Sequence, residues 1–135
     1  MIVTRQFNCE PGAVTAARVM VHDALAPWPR QVVETVELVA SELATNAVRH
    51  ARTGFEMTIE ANEEIRVEVT DRGAGRPTPV SPEPRDLTGR GLRIVEALSD
   101  AWGVTVRPEG KTVWCTLRPT VGGLSSEATT GIEPV

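Results

Sequence analysis

A chain of 135 residues is the size of one domain with a core of its own. Its 41% apolar and 24% charged residues are ordinary for a globular protein, and a formal charge of -4 without an arginine- or lysine-rich block argues against a general nucleic-acid binder. No apolar run approaches the roughly 20 residues of a membrane span, and the N-terminus lacks an apolar signal core, so the expectation is cytoplasmic with no membrane partner.

In chain order, residues 1–8 mix β-branched and polar types and read as an edge strand. Cys9 follows; it and Cys115 make no metal-ligand spacing and are read as reduced, with a bridge left open. Pro11-Gly12 punctuates, and a first helix is expected over Ala13–Leu25, where Ala16, Ala17, Met20, Val21 and Leu25 fall at near-helical spacing. Pro27-Trp28-Pro29 ends it. A longer helix follows from about Gln31 to Ala51, with Val32, Val36, Val39, Leu43, Ala47 and Ala51 forming a continuous apolar stripe. Gly54 breaks that helix.

Two strands come next, Phe55–Glu60 and Ile65–Asp71, separated by the turn Asn62-Glu63-Glu64. The second alternates, with Ile65, Val67 and Val69 on one face and Arg66, Glu68 and Thr70 on the other. Residues 72–88 read as loop, with Pro77, Pro79, Pro82 and Pro84 close together. A helix is expected from Gly89–Gly91 through Leu92, Ile94, Val95 and Leu98. Two strands, Ala101–Arg107 and Thr112–Leu117, follow across Pro108-Glu109-Gly110. The expectation is one domain over residues 1–118 and a disordered, Gly-, Ser- and Thr-rich tail over 119–135. The order β-α-α-β-β-loop-α-β-β predicts an α+β two-layer sandwich, with a mixed, mostly antiparallel sheet and helices packed on one face.

Three stretches carry chemistry. On the long helix Glu42, Asn46 and Arg49 lie at i, i+4 and i+7, so they project from one side at the edge of the apolar stripe. Mg2+ takes oxygen ligands and keeps several waters, so an amide such as Asn46 plus substrate phosphates suits it. A carboxylate one turn earlier, Glu42, is placed to orient or deprotonate a nucleophile at a terminal phosphate. His50 is read as a cation at the helix C-terminus, and His22 as a surface residue. Asp71 continues the inward row of Ile65, Val67 and Val69, where a carboxylate needs a partner. The exocyclic amine of an adenine is one economical answer, and Gly73 and Gly75 let the backbone pass close to a flat base. Gly89-Arg90-Gly91-Leu92 at a helix start offers free backbone N–H groups to an anion, with Arg90 or Arg93 adding charge. Gly110-Lys111-Thr112 imitates the end of a Walker A loop, but Thr105 stands where its first glycine is required, and the triplet leads into a strand.

With Glu42 and Asn46, Asp71-x-Gly73-x-Gly75 and Gly89-x-Gly91-Leu92 in this order, the chain resembles the Bergerat-fold (GHKL) ATPases over about residues 35–117. The wording from Glu42 to Ala51 looks most like the bacterial anti-sigma-factor serine/threonine kinases. The resemblance implies ATP and Mg2+ as cofactors, Asn46 holding the metal, and Glu42 as catalytic base. It implies Asp71 on the adenine amine, and Gly73 and Gly75 lining the base. Gly89, Arg90, Gly91 and Leu92 would then lie at the phosphates, with Arg76–Leu87 as a lid. The family often has a threonine just after the glycine of the penultimate turn, where this chain has Lys111; Thr112 is next, and which of them faces the base stays open. The partners implied are a sigma factor, an antagonist protein that receives the phosphate, or both, with a homodimer left open. The alternative is a nucleotide-dependent protein-binding switch without phosphate transfer, because transfer needs a partner surface that the motifs do not encode.

Overall fold

The computed structural model describes residues 1–72 and 92–119, with the backbone alone at His50 and Ala51. The expected base-lining Gly73 and Gly75, the lid, the phosphate-loop residues Gly89, Arg90 and Gly91, and the tail beyond residue 119 lie outside the described residues.

Five strands, β1 (Ile2–Phe7), β2 (Phe55–Ala61), β3 (Ile65–Asp71), β4 (Ala101–Arg107) and β5 (Gly110–Leu117), form one sheet in the order β1-β2-β3-β5-β4. Among the described residues all four pairings are antiparallel. Helices α1 (Ala13–Ala24) and α2 (Arg30–Asn46) pack on one face, and a shorter helix α3 spans residues 92–98.

The α2 sequence is rich in valine, a modest helix former, so its stability comes from burial rather than propensity. Val32, Val36, Val39, Ala40, Leu43 and Ala44 are all nearly inaccessible. Each buried Val or Leu side chain contributes roughly 1.5–3 kcal/mol. Ala13 and Ala17 on α1 keep that helix close to α2, while Met20, Val21 and Leu25 fill the space beneath.

On the sheet, strand alternation decides the layers. Phe55, Met57, Ile59 and Ala61 of β2 and Ile65, Val67, Val69 and Asp71 of β3 are buried, while the residues between them are not. The Phe7 and Phe55 rings stack at 5.0 Å where β1 meets β2. Cys115 lies in the same layer, and burial pushes its thiol up to about 11, whereas Cys9 is exposed; both are free. Among the described residues no helix is long and apolar enough to cross a membrane.

Two boundaries differ from expectation by more than one residue. The α-helical bonding of α2 stops at Asn46 and widens into a π-helical turn over Ala47–Ala51, closed by the Arg52 N–H donating to the Ala47 carbonyl at 3.3 Å. Arg52 then takes a left-handed conformation (φ 58°) and ends the helix. Strand β5 begins at Gly110, two residues before the expected Thr112. Gly110 has φ +150°, and a Cβ there would run into the Asp71 carbonyl oxygen, so only glycine lets β5 start this close to the end of β3.

Candidate functional site

The candidate residues lie on α2 and on the strands β3 and β5, and both α2 and the turn that ends it contact β3. The α2 stripe of valines fixes the helix on the sheet, and Asn46 is its last α-helical residue, with the π-turn that follows packed against β3. A π-turn is frequently found beside a functional residue, and no residue pattern in the sequence marks this one.

Asn46 is only 7% exposed, and its amide nitrogen makes no hydrogen bond among the described residues. A buried polar group without a partner costs about 1–3 kcal/mol, which a bound ligand would recover. The two ends of the amide exchange by a half-turn, so an oxygen can be presented in the same place. Asn46 therefore fits a metal ion as a neutral oxygen donor. Among the described residues no cluster of three His, Cys, Asp or Glu side chains holds an ion unaided, so an ion at Asn46 would take its remaining ligands from elsewhere.

Glu42, one turn earlier, is half-buried and forms no ion pair among the described residues. Arg49 is exposed, so the row expected to run from Glu42 through Asn46 to Arg49 ends at Asn46. His22 is a surface residue, 3.5 Å from Asp23.

Asp71 points into the helix-covered layer, as strand parity requires, and is 3% exposed. Its Oδ2 accepts from the Lys111 Nζ at 2.6 Å, with the Lys111 side chain 14% exposed, a partner the sequence does not reveal. The pairing register sets this contact, because Asp71 lies directly opposite Lys111 across β3 and β5. Glycine at 110 allows the approach.

The same register places the two candidates, Lys111 and Thr112, on opposite faces of the sheet. Thr112 lies opposite Thr70, their hydroxyls 2.8 Å apart, and Arg107 donates to the Thr112 Oγ1 at 3.2 Å. It is therefore on the far side of the sheet from Asp71, while Lys111 shares the Asp71 side. The signal was present: Val113, Cys115 and Leu117 form an inward odd-numbered row whose continuation is Lys111.

Leu92 opens α3 with its side chain 2% exposed in the core, which anchors the start of that helix. At the opposite end of α2, a groove lined by His22, Trp28, Val33, Glu34 and Glu37 lies away from these residues.

A family profile described as "Histidine kinase-like ATPase domain" matches residues 7–117. No curated protein sequence matches the chain. Among solved structures, the RsbU and RsbW domains of a Mycobacterium tuberculosis protein superpose with a TM-score of 0.69 at 20% identity, covering 87% of this chain and 32% of that one. The SiaB–SiaC complex of Pseudomonas aeruginosa gives 0.58 at 11% identity, over 84% and 88%. The Acinetobacter baumannii histidine kinase AdeS gives 0.50 at 15%, over 87% and 68%. The chain thus spans about a third of the first of these structures. At such identities the likeness is one of fold.

Proposed function

The chain belongs to the histidine kinase-like ATPase family, and from that premise we propose that it is an ATP- and Mg2+-binding serine/threonine kinase of the anti-sigma-factor type. In this reading it sequesters a sigma factor and phosphorylates an antagonist protein. The observation that carries it is the buried Asn46 amide one turn beyond Glu42, whose nitrogen has no hydrogen-bond partner among the described residues, on a helix that packs against β3. A solvated polar helix face has no reason to bury an amide without a partner.

The residues divide the work. Asp71 and Lys111 meet the base. Asn46 holds the metal, which when bound neutralises charge on the phosphates. Glu42 takes the proton of an attacking serine or threonine hydroxyl. The hydroxyl oxygen then bonds to the γ-phosphorus as the bond from that phosphorus to the bridging oxygen breaks, and ADP departs. The backbone N–H groups of Gly89, Arg90, Gly91 and Leu92 are assigned to the phosphates, and Gly73 and Gly75 to the edge of the base. The partner supplies the acceptor hydroxyl, which fits a family member whose own chain need carry no phosphoacceptor. RsbW- and SiaB-containing structures among the similar folds favour an antagonist protein as that partner.

Incubation with γ-labelled ATP and candidate antagonist proteins tests the reading. Label is expected on a partner serine or threonine, and Glu42→Ala is expected to abolish it while ATP still binds. Binding without transfer to any cognate partner would instead favour a nucleotide-dependent switch. Asn46→Ala is expected to remove the Mg2+ dependence of ATP binding measured by calorimetry; an unaltered dependence would take Asn46 out of the metal site.

A further inference from the structure

The antiparallel register across β3, β5 and β4 lines up Asp71, Lys111 and Val106 as one row on the helix-facing side of the sheet. Deeper in the same layer Val67, Val69, Val113 and Cys115 are buried, and their β4 neighbours Trp102 and Val104 are half-buried. At this end the row is different. It runs from a buried carboxylate to an ammonium to an apolar side chain that is 62% exposed. An uncovered apolar surface beside a paired acceptor and donor is what the face and edge of a flat heterocycle require.

Lys111 has three N–H donors and no acceptor, and Asp71 is its only hydrogen-bond partner among the described residues. With the side chain largely covered, its remaining donors call for acceptors beside the Asp71 carboxylate. Adenine presents the two adjacent functions in complementary order, an N6–H donor beside the N1 acceptor. Guanine presents the reverse, an O6 acceptor beside an N1–H donor.

We propose that Lys111 is a base-reading residue, donating directly to N1 of a bound adenine while Asp71 accepts from the N6 amine. The proposal rests on the nucleotide-binding function above and deepens it. The pair discriminates among bases as a unit: the carboxylate orients the ammonium, and the ammonium supplies the one function a carboxylate lacks. An ion pair with a purely structural role would hold Asp71 equally well but take no interest in the N1 position.

The test compares ATP with 1-deaza-ATP, in which N1 is replaced by a C–H, by calorimetry with Mg2+. The wild-type protein is expected to bind ATP tighter by on the order of 10-fold or more, the effect of one hydrogen bond from a charged donor. Lys111→Met is expected to weaken ATP and to bring the two affinities together. Lys111→Thr serves if the methionine variant does not fold, and the wild-type comparison needs neither. Equal binding of both nucleotides by the wild-type protein would overturn the role of Lys111 while leaving the ATP site standing. Discrimination that survives in the variants would assign N1 to another residue and overturn it as well. No binding of ATP at all would remove the nucleotide reading, and this one with it.

Discussion

Two ion pairs of nearly equal length lie on opposite faces of the same sheet. Lys111–Asp71 spans 2.6 Å on the helix side, with side chains 14% and 3% exposed, and Arg66–Glu68 spans 2.7 Å on the open side, with side chains 36% and 34% exposed. Geometry does not separate them; solvent does. On the open side water screens both charges, and Arg66 also lies 4.5 Å over the Trp114 ring, so it has a second partner. On the helix side two charges are held out of water, and their contact with one another offsets part of that desolvation. A cheap pair is a feature of the surface, whereas an expensive one held at the end of two central strands needs a reason. The reason we assign is that the same carboxylate and ammonium meet a ligand.

The largest expected effect tests the expense. Lys111→Met removes the counter-charge of a buried carboxylate and should lower unfolding stability by about 3–5 kcal/mol in urea titrations. Adding Asp71→Asn should recover much of that loss, because a neutral amide tolerates the site better than an unmatched charge. A Lys111→Met protein as stable as the wild type would show that the pair is not held at a cost, and the contrast between the faces would collapse.

Next is the functional half of the contrast. Asp71→Asn alone should weaken ATP binding by on the order of 10- to 150-fold, the contribution of a hydrogen bond to a charged group of about 1.5–3 kcal/mol. Calorimetry at constant Mg2+ measures this directly, and an unchanged affinity would remove Asp71 from the base.

How much of this pair was legible in the sequence follows from its geometry. The inward direction of Asp71 was readable because it needs only the two-residue period of one strand, Ile65 to Asp71, and the burial of that row agrees. The α2 stripe from Val32 to Leu43 was readable for the same kind of reason. The partner of Asp71 was not, because Lys111 is forty residues further on and reaches it only through the insertion of β5 between β3 and β4. Local periodicity carries no information about which strands become neighbours. The choice between Lys111 and Thr112 was open for a narrower reason: with the strand read from Thr112 onward, Lys111 lay outside it, whereas the inward row Val113, Cys115 and Leu117 extends back to Lys111. The π-turn after Asn46 has no residue signature, and the helical stripe running on to Ala51 concealed it.

The smallest expected effect is the most exacting for the comparison, since it demands almost nothing. Glu68→Gln breaks the open-face ion pair but leaves Arg66 over Trp114, whose indole lies against Gly103 so closely that a Cβ there would come within 2.7 Å of the ring. The cation–aromatic contact thus persists, and a pair exposed by about a third contributes only about 0–1 kcal/mol. The substitution should shift the urea midpoint barely, and less still in added salt, where screening already weakens the pair. It should leave ATP affinity unchanged, because Glu68 is on the opposite side of the sheet from Asp71. A stability loss comparable to that of Lys111→Met would mean that burial does not set the energetic difference between the two pairs. A loss of ATP affinity would mean that the two faces are coupled through β3, and the assignment of nucleotide recognition to the helix side alone would have to be abandoned.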